Sequence, residues 1–308
     1  MTHGNIRIRK LPVFPKGTFH SHPELFGRFN QNSPEHLQSR YEQIWRAIPR
    51  HEETITWPLL AAPGVWAATH PGADTVFVEI MVGITGYVYN SDCLYANTAR
   101  RVFAISDPPG ITTGSRRLFE RLERYLAVPG QDLAQMIERL NQETRPEEGA
   151  TLALVSLPVD RPDTAQLVVA GDSLLFHGNS RRHTLRGISG RHEFIGTPYA
   201  SFTVQEMKLE AGDFFVIASD GILSLANHDP TRNLPAALLA HLDSDAGQFV
   251  ERAMVACNAC YTETIYDRAF SRFGGSDNVS LLLVSPQALA ADTTAETTIL
   301  GGYIEPRD

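Results

Sequence analysis

Four aspartates beside short apolar runs are the residues of this sequence best placed to do chemistry. Asp107, Asp172 and Asp220 each stand just after such a run, and Asp277 stands just before one. A single aspartate of this kind is usually a turn residue that bonds to nearby backbone. Four carboxylates brought together would repel one another unless a cation neutralised them. Carboxylate oxygens are ligands for Mg²⁺ or Mn²⁺, so the pattern indicates a metal site.

Hydrophobic periodicity predicts the elements that must position these side chains. Two amphipathic helices are expected over residues 115–127 and 131–142, and a longer helical segment from about 234 to 270. A short helix is expected at 38–48. Strands are predicted at 6–13, 76–84, 101–105, 151–157, 166–170, 173–177, 203–209, 214–218 and 279–284. Because strands come in groups and helices in pairs, antiparallel sheets covered by helices are favoured over alternating βαβ units.

Composition limits the class of protein and of partner. The 308 residues are 43% hydrophobic and 20% charged, which is typical of a soluble globular protein and excludes a disordered or fibrous one. The net charge of −8 gives no general attraction to nucleic acid or to an anionic membrane. No apolar run approaches the ~20 residues that span a bilayer, no signal segment is recognised, and three cysteines cannot form a disulfide framework. We therefore expect a cytoplasmic protein whose partners are proteins or small molecules, with no nucleic-acid or membrane partner.

Two domains of unequal character are expected. Residues 1–72 lack any long periodic segment, so we assign them to an N-terminal extension whose role the sequence leaves open. Because this segment contains Trp45, Trp57 and Trp66, and three tryptophans rarely belong to a free tail, we expect it to pack on the core or to present a surface that binds a partner. Residues 73–308 are expected to form the main domain.

Motifs of several other enzyme classes are absent. No Gly-x-x-x-x-Gly-Lys loop, Gly-x-Ser-x-Gly elbow or His-Glu-x-x-His helix occurs in the chain. Cys257 and Cys260 form a Cys-x-x-Cys pair, which allows a redox or zinc pair. Their 3-and-4 spacing within an apolar helix face favours core cysteines instead, because zinc would need further ligands.

The order of the remaining motifs resembles the metal-dependent protein phosphatases, the protein phosphatase 2C or PPM family. The matching segments are Gly149-Ala150-Thr151, Gly171-Asp172-Ser173, Gly212-Asp213, Ala218-Ser219-Asp220-Gly221 and Gly275-Ser276-Asp277-Asn278. The ordered set spans about residues 75–286 and is far more specific than any member of it. The resemblance implies an α+β fold, in which two antiparallel sheets form a β-sandwich with helices on both outer faces and a metal site at one rim.

The resemblance also implies roles for individual residues. Asp107, Asp220 and Asp277 would be catalytic and, with the carbonyl of Pro108, would hold two Mg²⁺ or Mn²⁺ ions. A further set, expected to orient the ligands or a metal-bound water, comprises Asp92, Asp172 and Asn278. The implied reaction is hydrolysis of phosphoserine or phosphothreonine in proteins by a two-metal-activated water, as in a bacterial signalling phosphatase.

The N-terminal motifs depart from the family pattern. Ser91 stands where the family has a metal-supporting glutamate, and Pro108 stands where it has glycine. Tyr87 replaces an arginine that would grip the substrate phosphate, and Ser224 replaces an aspartate that supports a further metal. The alternative is therefore a catalytically impaired, phosphatase-like module that binds a protein or phosphoprotein partner. The sequence identifies neither the physiological substrate nor the oligomeric state.

Overall fold

A computed structural model describes most of the chain between residues 54 and 306, together with one strand near the N-terminus. The described residues are 5–12, 54–70, 87–128, 130–226, 230–242, 245–254, 256–257, 278–289 and 297–306. The strand expected at 76–84 and the helix expected at 38–48 lie outside these ranges. Asp277 and Cys260 also lie outside them.

Apolar runs bounded by turn residues form most of the strands. Numbered in chain order, the described strands are β1 (Asn5–Pro12), β2 (Thr54–Ala62), β3 (Val65–His70), β4 (Tyr87–Asn97), β5 (Val102–Ser106), β6 (Leu152–Ser156), β7 (Thr164–Ala170), β8 (Leu174–Asn179), β9 (Thr184–Ile188), β10 (Gln205–Lys208), β11 (Asp213–Ala218), β12 (Val279–Val284) and β13 (Thr297–Pro306). They pair antiparallel into a seven-stranded sheet A, in the order β1-β2-β3-β12-β11-β8-β9, and a six-stranded sheet B, in the order β10-β7-β6-β5-β4-β13.

The helices cover the outer faces of the two sheets. Helices α1 (Gly114–Leu126) and α2 (Leu133–Glu143) agree with the predicted pair and bury their apolar faces. The helical segment expected from 234 to 270 is instead interrupted, because α3 (Pro230–His241) ends before a new helical stretch begins at residue 246. Asp245 caps this stretch by accepting hydrogen bonds from the backbone N–H groups of Gly247 and Gln248. Among the described residues, no helix is both long and apolar enough to cross a membrane.

Three apolar layers hold the sandwich together. Side chains of both sheets meet between them, with Phe215 and Leu282 of sheet A facing the layer that contains Phe103 of sheet B. A second layer joins sheet B to α1 and α2, and a third joins sheet A to α3 and the stretch after residue 246. Cys257 is fully buried in the third layer, which confirms that it is a core cysteine. Each layer removes apolar surface from water, which stabilises the sheets as a pair.

Five strands that the sequence analysis did not predict complete the sheets. Strand β4 was not predicted because three consecutive polar residues, Asn90, Ser91 and Asp92, interrupt its apolar pattern, although all three are buried. Strand β9 lies at a sheet edge and is largely exposed, and β13 is broken by a bulge at Gly301–Tyr303. Strands β2 and β3 fall within residues 1–72, and β3 is hydrogen-bonded to β12 inside sheet A. Residues 54–70 are thus continuous with the sheet, and the division of the chain at residue 72 stays a prediction.

A buried carboxylate anchors the turn that leads into β11. Asp213 accepts hydrogen bonds from the side chain of Asn179 and from the backbone N–H of Glu210, both at 2.7 Å. The ring Nε2 of His177 lies 3.2 Å from the same carboxylate. Burial acts to raise the pKa of Asp213, but these donors outweigh burial and hold the pKa below its ordinary value.

We expect the Asp213→Asn variant to be less stable and less sensitive to acid than the wild type. A carboxyl whose pKa is lowered in the folded state stabilises it above its unfolded pKa of about 3.8, and this contribution is lost as the pH falls further. At pH 7 the variant should lose about 1–3 kcal/mol of unfolding free energy, since Asn179 or Glu210 is left without its acceptor. Urea denaturation at pH 7, 4 and 2.5 measures both effects, with the exposed Asp160→Asn as control. An unchanged pH dependence in Asp213→Asn would contradict the assignment.

Candidate active site

The strand ends near one rim of the sandwich enclose a polar pocket of about 270 Å³. Its lining residues among those described are Ser91, Asp107, Pro108, Pro109, Gly110, Thr151, Asp172, Phe194, Asp220 and Asn278. Three of the four aspartates singled out from the sequence therefore share one pocket, although they are up to 113 positions apart in the chain (220 − 107). Carboxylates that share a pocket repel one another, and a cation between them would relieve that repulsion.

Thr151 fixes the backbone that carries Asp107. The N–H of Asp107 donates to Thr151 Oγ1, and the N–H of Thr151 donates to the carbonyl of Asp107, both at 2.8 Å. The Thr151 hydroxyl also bonds to the hydroxyl of Ser173, which is the neighbour of Asp172. The Gly-Ala-Thr and Gly-Asp-Ser motifs are thereby joined at the pocket.

Gly171 allows an aromatic side chain to form one wall of the pocket. Its φ of +79° lies in the left-handed region, and an added Cβ would come within 2.7 Å of Phe194 and of Thr151. The backbone N–H of Gly171 donates to the carbonyl of Arg191 at 2.8 Å, which holds the segment before Phe194 against the sheet. Phe194 had no signal in the sequence, because no periodic run or motif includes it.

The loop after β11 and the start of β12 approach each other closely at the pocket. A Cβ on Gly221 would lie 2.2 Å from the carbonyl oxygen of Asn278, so only glycine fits beside that carbonyl. The Asn278 side chain accepts a hydrogen bond from the backbone N–H of Ser91 at 2.7 Å. Asp220 opens the 3₁₀ segment Asp220–Ala226 directly before Gly221. The Ala-Ser-Asp-Gly motif and Asn278 of the Asp-Asn motif are therefore neighbours in space.

The other residues named from the sequence stand in different relations to the pocket. Asp92 is buried in β4 and is not one of the described lining residues, whereas its neighbour Ser91 is. Tyr87 begins β4 and Ser224 lies in the 3₁₀ segment, but their side chains are outside the described part of the structure. Asp277 lies outside it entirely.

The donors at the pocket fit a hard divalent cation. The carboxylates of Asp107 and Asp220 and the backbone of Pro108 offer oxygen atoms only, the ligand type that Mg²⁺ and Mn²⁺ prefer. Within the described ranges, no group of three or more Asp, Glu, His or Cys side chains is placed to hold an ion. The third carboxylate expected at the site, Asp277, precedes Asn278 in the sequence and lies outside the described residues.

A family comparison decides the relationship of the chain. The family model of stage II sporulation protein E (SpoIIE) matches residues 111–285, which is more than half of the chain. The chain belongs to the SpoIIE family. The matched range includes the Gly-Asp-Ser, Ala-Ser-Asp-Gly and Asp-Asn motifs, and the resemblance to PPM phosphatases is confirmed. No curated protein shows significant similarity to the chain.

Solved structures show which fold this member of the SpoIIE family has. The PP2C phosphatase domain of SpoIIE from Bacillus subtilis, with a fragment of its regulatory domain, has 17% identity and a TM-score of 0.52, covering 92% of this chain and 72% of that one. PppA, a key regulatory component of T6SS in Pseudomonas aeruginosa, has 18% identity and a TM-score of 0.51, covering 71% and 96%. The serine/threonine phosphatase PstP/Ppp from Mycobacterium tuberculosis has 17% identity and a TM-score of 0.50, covering 71% and 96%. The chain is similar to all three in fold, and the expected PP2C-like sandwich is confirmed.

Proposed function

We propose that the protein is a metal-dependent phosphatase that hydrolyses phosphoserine or phosphothreonine in proteins. The observation that carries the proposal is the pocket in which Asp107, Asp172, Asp220 and Asn278 lie together at the rim of a PP2C-type sandwich. A pocket walled by carboxylates repels a bare phosphate, so a phosphate substrate requires cations between it and the protein. Membership of the SpoIIE family supports the same reading.

We propose that Asp107, Asp220 and Asp277 hold two Mg²⁺ or Mn²⁺ ions, with the carbonyl of Pro108 as a further ligand. Such ions, when bound, supply a water molecule activated for attack and neutralise the charge that develops on the phosphate. The chain contributes the rigid placement of these ligands. Thr151 holds the backbone of Asp107 by two hydrogen bonds, and the contact of Gly221 with Asn278 sets the loop of Asp220.

Asp172 has a supporting role in this proposal. Its side chain is exposed at the mouth of the pocket, next to Ser173, which bonds to Thr151. From there it can accept a hydrogen bond from a water bound in the pocket and so orient it. Asp92 and Asn278 are assigned to the same supporting set, and Asn278 connects it to Ser91 through the bond at 2.7 Å.

One observation favours a second candidate function. Ser91 lines the pocket at the position where PPM phosphatases have a metal-supporting glutamate, so the pocket has one carboxylate fewer on this side. A phosphatase-like module that binds a protein or phosphoprotein without hydrolysing it would fit this loss.

Hydrolysis of para-nitrophenyl phosphate and of a phosphothreonine peptide, with and without Mn²⁺, separates the two candidates. We expect hydrolysis that depends on Mn²⁺ or Mg²⁺ and stops when EDTA removes the ion. Calorimetric titration with Mn²⁺ under the same conditions measures binding independently of turnover. Bound Mn²⁺ without hydrolysis of either substrate would favour the binding module. The absence of both Mn²⁺ binding and hydrolysis would contradict the metal site itself.

A further inference from the structure

A strained turn just after pocket residue Phe194 in the chain presents a fully exposed aromatic side chain. The backbone N–H of Ala200 donates to the carbonyl of Thr197 at 3.2 Å, closing a four-residue turn with Pro198 and Tyr199 in the middle. Tyr199 has a φ of +63°, as the third residue of a type II turn does, and that position usually holds glycine or asparagine. The tyrosine side chain is fully exposed, so burial does not compensate for the strain.

The turn is held rigidly by one buried side chain of helix α2. The amide of Asn141 accepts a hydrogen bond from the N–H of Gly196 at 2.7 Å and donates to the carbonyl of Ala200 at 3.0 Å. It also donates to the carbonyl of Thr197 at 3.4 Å. Because both ends of the turn are bonded to α2, the backbone that carries the exposed ring is fixed. Binding of a partner to the ring therefore causes little further loss of backbone conformational entropy.

The turn is connected to the wall of the pocket. Ile195 exchanges backbone hydrogen bonds with Ala150, the neighbour of pocket residue Thr151, at 2.9 and 3.2 Å. Phe194, one residue earlier, lines the pocket itself. Tyr199 stands five positions after Phe194, so their Cα atoms lie within about 18 Å of each other. An extended substrate chain covers that distance in about five residues.

We propose that Tyr199 is a docking residue for the phosphorylated protein substrate, in contact with an apolar side chain about three to five positions from the phosphorylated residue. This inference rests on the proposed function, since it takes the pocket as the place where the phosphorylated residue binds. A single exposed aromatic residue needs no special explanation. Tyr199 differs because it occupies a position that disfavours any side chain, and strain of this kind is concentrated at functional sites. Tyrosine is also enriched among the residues that dominate protein interfaces.

Synthetic phosphoserine peptides test the proposal. One peptide has only alanine flanks, and the others carry a single leucine at each position up to six residues on either side. For the wild type, leucine at one or two positions should raise kcat/KM about tenfold over the alanine peptide. Tyr199→Gly should abolish that preference while leaving hydrolysis of the alanine peptide and of para-nitrophenyl phosphate unchanged. Its melting temperature should equal or exceed that of the wild type, because glycine relieves the strain.

Two further variants make the result specific. Val159→Ser changes another exposed apolar residue, which follows β6 at the end away from Thr151, and should keep the leucine preference. Asn141→Ala removes the clamp and should weaken the preference although Tyr199 is present. A leucine preference that persists in Tyr199→Gly, or that is absent from the wild type, would overturn the proposal.

Binding separates this inference from the proposed function. If the wild type hydrolyses no substrate, the proposed function fails, and fluorescence anisotropy with labelled forms of the same peptides then decides the docking role. Tighter binding of a leucine peptide that requires Tyr199 would support it. Equal binding of all peptides, or no binding, would overturn it.

Discussion

The Asp220→Asn variant is expected to lose more than about 100-fold in metal-dependent hydrolysis of para-nitrophenyl phosphate, since changes one step further from a metal already cost 10–100-fold. Asparagine keeps the shape of the side chain and removes the negative charge that a cation needs. A ligand that binds only the folded state raises its stability by mass action, so Mn²⁺ should raise the melting temperature of the wild type. Most of that rise should disappear in Asp220→Asn. Activity and thermal shift are therefore two independent measurements of the same site.

Two control variants grade the effect of Asp220→Asn. Asp172→Asn alters a carboxylate of the same pocket that is proposed to orient water, so it should keep most of the thermal shift and lose less activity. Asp160→Asn alters an exposed carboxylate outside the pocket and should match the wild type. If Mn²⁺ shifted the melting temperature of wild type and Asp220→Asn equally, the metal would bind elsewhere and the assignment of Asp220 would be wrong.

The parts of the fold that could be predicted from the sequence are those in which burial in the core alone sets the pattern of apolar residues. Strands β5, β11 and β12 are buried on both faces, so they read as continuous apolar runs. Helices α1 and α2 bury one face each and show a 3.6-residue period. Because the runs of β5 and β11 end in aspartates, the same signal also located Asp107 and Asp220 near one another.

Other parts of the site could not be predicted, because contacts with segments that are distant in the sequence determine which residues stand there. Strand β4 is buried yet carries Asn90 and Ser91, whose hydrogen-bond partners lie in β3 and just before β12. No local pattern reveals that the side chain of Asn90 and the backbone N–H of Ser91 have these partners. Phe194 becomes a pocket wall only because Gly171 leaves room for it. Such residues are recognisable once the sheets are assembled, and a periodic signal cannot show them beforehand.

A buried chain of hydrogen bonds joins the two sheets behind the pocket. The side-chain amide of Asn90, in sheet B, donates to Thr69 Oγ1 of sheet A at 2.7 Å. The hydroxyls of Thr69 and Ser280 lie 2.7 Å apart. Ser280 and Ser219 are bonded in both directions, at 2.9 and 3.0 Å. All four residues are buried, and Ser219 directly precedes Asp220. This chain of hydrogen bonds therefore couples the spacing of the two sheets to the position of Asp220, a proposed metal ligand.

Thr69→Val should lower the stability of the protein and reduce its Mn²⁺-induced thermal shift. Both effects should be smaller in Thr69→Ser. Valine has nearly the shape of threonine but no hydroxyl, so the amide of Asn90 is left buried without its acceptor, at a cost of about 1–3 kcal/mol. Serine keeps the hydroxyl and loses only a methyl group, which costs about 1 kcal/mol. Urea denaturation measures the stability, and the Mn²⁺-induced thermal shift measures the effect on the site.

The comparison of these two variants distinguishes a positioning role from a merely structural one. If the chain of hydrogen bonds sets the ligands, Thr69→Val should have a smaller Mn²⁺-induced shift than Thr69→Ser, because Asn90 is followed by Ser91, which is bonded to Asn278 at the pocket. Loss of stability in Thr69→Val with an undiminished Mn²⁺ shift would mean that the chain only holds the sheets together. Equal stability of the two variants would contradict even that role, since the buried amide would then have found another partner.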